Sequence, residues 1–166
     1  MKNVLVLGGT GFVGRHVCAA LHRLGVRVTV PTRRLPNARA IQVLPNVTVV
    51  PAQVHDPKAL AALLPGHEAV INLVAILHGN EESFDRVHVQ LPARLAQAAA
   101  QAGVQRLVHV SALGADLQAA SLYQRSKAQG ERALQSAAKA HGLSLSLVRP
   151  SVIFGRDDRF INLFAR

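Results

Sequence analysis

Three glycines spaced three residues apart, Gly8, Gly11 and Gly14, follow an apolar run at residues 4–7 and open an amphipathic stretch. This order predicts a buried strand, a tight turn and a helix whose unpaired N–H groups point at an anion. Gly8 permits the turn, Gly11 lets the backbone approach a phosphate, and Gly14 lets the helix pack closely on the strand. The flanking patterns agree with the glycines, so the segment predicts a dinucleotide site, with a purely structural strand–turn–helix as the alternative. The remaining residues expected to contact the dinucleotide here are Thr10, Phe12 and Val13.

Length and composition predict one globular domain over residues 1–166, because hydrophobic residues make up 49% of the chain and charged residues 17%. No apolar run approaches the roughly 18 residues of a membrane-spanning helix, and the N-terminal apolar run is too short for a signal peptide. The single cysteine, Cys18, excludes an intramolecular disulfide. A cytoplasmic location is therefore the default expectation.

The net charge of +10 is spread along the chain instead of forming a dense basic block, and aromatic residues make up only 4%. Nucleic-acid binding predicts a basic stripe or interleaved aromatic side chains, so we expect no nucleic-acid partner. A basic surface suits an acidic protein partner or an anionic membrane face. No metal site is expected either, since His16 and Cys18 lie two residues apart and point to different faces of one helix.

Apolar strands alternate with helices along the whole chain, and the strands are nearly continuous in apolarity, as when both faces of a parallel sheet are covered. Right-handed crossovers then predict an α/β fold, a Rossmann-type doubly wound parallel sheet of order 3-2-1-4-5-6. The predicted strands are residues 2–7, 26–30, 47–50, 68–74, 105–110 and 143–148, and the predicted helices are 11–24, 57–64, 84–102 and 124–141.

The end of the second strand is where a cofactor's adenosine ribose is recognised in such a sheet. Thr32, Arg33 and Arg34 lie there, and no Asp or Glu occurs between Arg15 and Asp56. A carboxylate would accept hydrogen bonds from a free ribose, whereas an arginine can clamp a 2′-phosphate. The sequence therefore favours NADP(H), with Arg33 the first candidate, while NAD(H) and an ordinary basic loop remain the alternatives.

Further cofactor contacts are expected where the third and fourth strands end. Gln53 and Val54 should border the adenine, and Gln53 either bonds the ring edge or only satisfies loop backbone. Val74 and Ala75 follow the fourth strand, where the chain passes beneath the adenosine ribose and the nicotinamide half.

A second group of residues points to proton transfer. Ser111 follows the fifth strand, and Tyr123 and Lys127 lie four residues apart on one face of a helix. A lysine ammonium beside a phenol favours the phenolate, so Lys127 should lower the pKa of Tyr123, which is ordinarily near 10. Tyr123 could then exchange a proton with a substrate oxygen that Ser111 holds, and Lys127 would reach the nicotinamide ribose. A chance spacing of Tyr and Lys is the alternative.

These residues, together with the segment beginning Arg149-Pro150 and running to Phe160, resemble the extended or atypical short-chain dehydrogenase/reductases, the epimerase/dehydratase-like family. Residues 110–116 and 123–131 look closest to the branch formed by the 39-kDa accessory subunit of respiratory complex I and its bacterial relatives. The resemblance spans the whole chain.

The resemblance implies a bound NADP(H), which Pro150 should help to line and which is often structural in the complex I branch. It also implies a partner in a membrane-associated respiratory complex and a peripheral position at the inner membrane face. Members of the wider family act as dehydrogenases, epimerases or reductases. The chain departs from the family in having His88 where many members have a helical asparagine that supports proton relay, and an imidazole could still relay protons. Residues 157–166 alone could not form a substrate pocket, so we expect either the N-terminal part of a longer protein or a function that needs only the cofactor half.

Overall fold

Six parallel strands form a single sheet in the order β3-β2-β1-β4-β5-β6 in the computed structural model, which describes residues 1–155. The predicted fold class and strand order are confirmed. Residues 156–166 lie outside the described residues. They include the end of the segment that carries the family resemblance. The prediction that residues 157–166 form no substrate pocket also falls on them. The strands are β1 (Asn3–Leu7), β2 (Arg27–Thr32), β3 (Val47–Pro51), β4 (Ala69–Asn72), β5 (Arg106–Val110) and β6 (Ser144–Val148).

The helices are α1 (Phe12–Arg23), α2 (Arg39–Gln42), α3 (Pro57–Leu63), α4 (Glu81–Phe84), α5 (Leu91–Gln101) and α6 (Leu122–Ala140). Two helical segments between β2 and β3, the 3-10 turn Leu35–Ala38 and α2, were not predicted. Each has four residues, which is too short for an amphipathic repeat to show in the sequence. Among the helices of residues 1–155, none is long and apolar enough to cross a membrane.

Strand β1 is buried on both faces, which explains its unbroken apolar sequence. Leu5 and Leu7 pack into one core with Leu95 of α5 and Leu134 of α6. Val4 and Val6 point to the opposite face, where a second core contains Cys18 of α1 and Val28 and Val30 of β2. This alternation follows the two-residue period of a strand. The sheet is therefore held between two helical layers, and the carboxyl ends of its strands meet at one edge.

The helix predicted at residues 84–102 is interrupted by a π-helical turn, Asp85–Gln90, between α4 and α5. Pro92 explains the interruption, because proline donates no hydrogen bond and its ring clashes with the carbonyl four residues earlier, that of His88. The His88 carbonyl in this turn lies against α6. A Cβ on Gly130 of α6 would lie 1.8 Å from the His88 oxygen, so only glycine fits at that position.

Candidate cofactor and proton-transfer site

The glycine turn after β1 is a cradle that side chains would fill. Gly8 has φ of 80°, a conformation that other residues rarely adopt. A Cβ on Gly14 would lie 2.2 Å from the Gly8 carbonyl oxygen and 2.6 Å from the Gly9 Cα atom. The Gly11 N–H donates to the Gly8 oxygen at 3.0 Å, which closes the turn.

The amino end of α1 opens onto this turn with its N–H groups uncapped by any described side chain. Gly11 is the N-cap residue, and no acidic residue lies in the first turn. Uncapped N–H groups and the positive end of the helix dipole together suit an anion such as a pyrophosphate. The turn therefore fits the phosphates of a dinucleotide. Phe12 and Val13, both half-buried, begin the helix, and the Phe12 ring meets the His16 ring edge-on at 5.5 Å.

Beyond β2, the chain presents two exposed cations, Arg33 and Arg34. Thr32 is buried, and its hydroxyl accepts from the Arg34 N–H at 3.3 Å and donates to the Arg34 carbonyl at 3.1 Å. Its side chain thus fixes the turn that carries the arginines.

A cationic patch surrounds His55, which follows β3 at the same edge of the sheet. Burial lowers the pKa of His55, and the charges of Arg86, Arg33 and Arg94 lower it further. Sequence reasoning missed Arg86 and Arg94, because they belong to the π-helical turn and α5, far along the chain from Arg33. Only the topology of the sheet brings these positive charges to one edge.

The other predicted cofactor residues lie at the carboxyl edge of the sheet. Gln53 is exposed and Val54 half-buried beyond β3. Val74 is half-buried beyond β4, and its N–H donates to Asn72 Oδ1 at 3.1 Å, while Ala75 is exposed. The Pro150 carbonyl, beyond β6, accepts from the Leu113 N–H at 2.8 Å and ties two loops of this edge together.

Ser111 lies at the carboxyl end of β5 with a buried hydroxyl. Its Oγ makes no hydrogen bond of normal geometry with the described residues. It lies near enough to Glu131 on α6 to help lower the pKa of that carboxyl group. A buried hydroxyl without a full hydrogen bond is costly and is often found at functional sites.

Lys127 is buried and donates from Nζ to the Val110 carbonyl at 2.9 Å. Burial lowers its pKa to about 8, partly opposed by the charge of Glu131. Tyr123 lies one turn earlier on α6, and burial raises its pKa. The expectation that Lys127 lowers the pKa of Tyr123 is therefore wrong: the ammonium is held at the strand, and desolvation dominates at the phenol. The contact of Lys127 with a nicotinamide ribose stays a prediction.

An ion pair that the sequence did not reveal joins the buried Glu131 of α6 to the exposed Arg149. Arg149, beyond β6, donates from Nε to both carboxylate oxygens of Glu131, at 2.9 and 3.1 Å, and also from Nη2. Burial opposes ionisation of Glu131, but the hydrogen bonds and charge of Arg149, together with the nearby Ser111 hydroxyl, outweigh it and lower its pKa. The pair joins α6 to the loop after β6, and its only sequence signal is that Glu131 lies one turn beyond Lys127.

Two buried histidines stay neutral. His109 in β5 pairs through Nδ1 with Asn72 Nδ2 at 3.0 Å, and burial followed by the Lys127 charge lowers its pKa to about 3. The same two causes lower the pKa of His88 to about 4.

In residues 1–155, no three His, Cys, Asp or Glu side chains lie close enough together to bind a metal ion. Burial raises the pKa of the Cys18 thiol to about 11.

A doubly wound sheet with a glycine turn after its first strand, and with Ser, Tyr and Lys at the same carboxyl edge, defines the class of short-chain dehydrogenase/reductase-like proteins. The profile of the NAD dependent epimerase/dehydratase family matches residues 4–166, and the chain belongs to that family.

The proteins similar to this chain include mitochondrial NADH dehydrogenase subunits and enzymes. The chain is 36% identical over 165 residues to mouse mitochondrial NADH dehydrogenase [ubiquinone] 1 alpha subcomplex subunit 9, covering 96% of this chain and 43% of that protein. It is 37% identical over 156 residues to the ceramide reductase of Caulobacter vibrioides, covering 93% and 47%. The dTDP-glucose 4,6-dehydratase of Streptomyces venezuelae, solved with NAD, superposes with a TM-score of 0.77 at 26% identity, over 90% of this chain and 55% of that one. The chain thus spans less than half the length of the mouse subunit and of the ceramide reductase.

Proposed function

We propose that the chain is an NADP(H)-binding domain. The observation that carries this proposal is the combination of the glycine cradle with two exposed arginines, Arg33 and Arg34, in a stretch free of carboxylates. The cradle suits the pyrophosphate, and the similar dehydratase solved with NAD supports a nicotinamide cofactor.

The preference for the phosphorylated cofactor follows from charge. A 2′-phosphate beyond β2 would meet Arg33, and the cations around His55 add a positive potential at the same edge. A carboxylate, which would repel that phosphate, is absent from the sequence between Arg15 and Asp56. An arginine that donates two parallel hydrogen bonds to a phosphate adds affinity and fixes its orientation.

We expect the protein to bind NADPH at least about tenfold more tightly than NADH, a difference of about 1.4 kcal/mol. Arg33→Gln should remove most of this preference by weakening NADPH binding while leaving NADH affinity unchanged. Arg23→Gln, at the far end of α1, is the matched control and should change neither affinity. Fluorescence titration measures both dissociation constants, and equal affinities in the unsubstituted protein would refute the preference for NADP(H).

A second candidate function is reduction of a carbonyl compound, favoured by the buried Ser111 hydroxyl, by Lys127 bonded to the adjoining Val110 carbonyl, and by Tyr123 one turn before Lys127 on α6. Ser111 would donate a hydrogen bond to the carbonyl oxygen, and the Tyr123 phenol would donate a proton to it. Because burial raises the pKa of Tyr123, the phenol stays protonated at neutral pH, which suits a proton donor. Bound NADPH would supply the hydride. The similarity to a ceramide reductase supports this direction of reaction.

Tyr123→Phe separates this chemistry from cofactor binding. It removes the proton donor but keeps the ring, so carbonyl reduction should fall about 10²–10⁴-fold. The dissociation constant for NADPH should stay within about twofold, less than 0.5 kcal/mol. NADPH oxidation with a panel of ketones measures the first quantity and fluorescence titration the second. Unchanged ketone reduction in Tyr123→Phe would exclude Tyr123 as the donor.

If the unsubstituted protein reduces no ketone, the docking role shared with the complex I branch becomes the favoured alternative. The similarity to the mouse NADH dehydrogenase subunit supports it, as does the net charge of +10, which suits an acidic protein partner or an anionic membrane face. Bound cofactor would then stabilise the docking surface, by about 2.7 kcal/mol at 100 times its dissociation constant.

A further inference from the structure

Both ring nitrogens of the buried His88 are engaged by protein groups. Nε2 accepts from the Ile76 N–H at 3.2 Å, and Nδ1 lies 2.8 Å from the Ser126 hydroxyl. A backbone N–H can only donate, so Nε2 carries no proton and the neutral ring carries its proton on Nδ1. His88 therefore donates to Ser126. The relay considered from the sequence would require a nitrogen open to the phenol, and neither nitrogen is.

The hydrogen-bonded chain ends at the tyrosine of the proton-transfer site. The Ser126 hydroxyl, having accepted from His88, donates to the Tyr123 carbonyl at 2.8 Å, one turn back along α6. Hydrogen bonds in such a chain polarise and strengthen one another, and this one lies in a buried, low-dielectric region. The loop after β4 is thus connected to the first turn of α6 through His88 and Ser126.

The same imidazole also contacts the tyrosine ring. The His88 and Tyr123 ring centroids lie 5.5 Å apart with the rings nearly perpendicular, an edge-on contact. Phe84 of α4 completes the group, at 5.3 Å from the His88 ring and 6.2 Å from the Tyr123 ring. The π-helical turn and Gly130 allow this close approach, because the His88 backbone lies against α6 where no Cβ intervenes.

We propose that His88 is a positioning residue for Tyr123, which fixes the tyrosine by its Nδ1–H bond to Ser126 and by the contact between the two rings. The proposal rests on the role of Tyr123 proposed above. It differs from proton relay, because both nitrogens of His88 are bonded to protein groups and the imidazole keeps its proton. The decisive contact is on the Nδ1 side, whereas the Nε2 bond to Ile76 only anchors the imidazole.

Tyr123 can be observed alone, since it is the only tyrosine and the chain has no tryptophan. Near-ultraviolet circular dichroism reports how firmly its ring is held, and phenolate absorbance reports its pKa.

Two substitutions of His88 separate its two hydrogen bonds. Asparagine at this position places an amide where Nδ1 lies, and glutamine places one where Nε2 lies. His88→Asn can thus keep the bond to Ser126, and His88→Gln can keep the bond to Ile76. Ser126→Ala removes the hydroxyl that links His88 to the Tyr123 carbonyl, and alanine preserves α6 because it is a good helix former. The exposed His141→Asn is the control.

We expect His88→Gln and Ser126→Ala to lose most of the tyrosine dichroism and to bring the phenol pKa down toward its ordinary value near 10. His88→Asn and His141→Asn should keep more of both signals than these two variants. A Ser126→Ala protein with unchanged signals would overturn the proposal, and so would His88→Gln matching His88→Asn. Neither readout needs turnover or cofactor, so the result stands apart from the Tyr123→Phe experiment on ketone reduction.

Discussion

Gly14→Ala is expected to destabilise the protein and to weaken NADPH binding at least about 100-fold, about 2.7 kcal/mol. The added Cβ would lie 2.2 Å from the Gly8 carbonyl oxygen and 2.6 Å from the Gly9 Cα atom. Both are backbone atoms of the phosphate cradle, so the turn itself must move away from α1. An alanine inside a helix would otherwise stabilise the protein by up to about 1 kcal/mol, and the clash reverses that sign.

Gly11→Ala in the same turn provides the comparison. Its Cβ would lie 3.2 Å from the Gly8 oxygen, and Gly11 has an ordinary φ of −75°, so the fold should tolerate it. The methyl group would still add bulk to the turn that is proposed to hold the phosphates. We therefore expect Gly11→Ala to weaken NADPH binding with little change in the free energy of unfolding, whereas Gly14→Ala lowers both. Urea unfolding and fluorescence titration measure the two quantities, and a Gly14→Ala protein as stable as the unsubstituted one would contradict the account of the cradle.

The fold was predictable because local signals agreed with the global arrangement. The apolar run of β1 is continuous because both of its faces are buried. The three glycines mark the turn after it, because a close approach of α1 to β1 requires residues without side chains there. The short helical segments after β2 escaped prediction, since four residues cannot display a period of 3.6. The π-helical turn before Pro92 was missed although the proline was visible, because the accommodating residue, Gly130, is remote in sequence.

The candidate site was predictable in its residue types but not in its electrostatics. Ser111, Tyr123 and Lys127 occupy the predicted edge and helix, yet the pKa of the phenol is raised and the ammonium is bound to a strand carbonyl. Spacing along a helix gives neighbours, whereas desolvation depends on every element packed around a group. The contacts of His88 with Ser126 likewise join residues that are 38 positions apart.

Acid should destabilise this protein, because the folded chain keeps two buried histidines neutral. The pKa of His88 is about 4 and that of His109 about 3, against an ordinary value of 6.5. Between pH 6.5 and 4 the unfolded chain therefore binds more protons than the folded one, and the free energy of unfolding falls as the pH falls. Each group contributes a slope of up to about 1.4 kcal/mol per pH unit. Glu131, whose pKa is lowered, adds a loss in the same direction at still lower pH.

The loss of several kcal/mol across this window is a large part of the whole stability of a domain, about 5–15 kcal/mol, so we expect the free energy of unfolding to fall steeply toward pH 4. Urea unfolding at a series of pH values and constant ionic strength measures the slope. His88→Asn removes one titrating group and should reduce the slope between pH 6.5 and 4 by up to about 1.4 kcal/mol per unit. The exposed His141→Asn should leave it unchanged. A free energy of unfolding that stays constant from pH 7 to 4.5 would show that the two histidines accept protons without disrupting the fold, and the buried hydrogen bonds of His88 and His109 would then carry little of its stability.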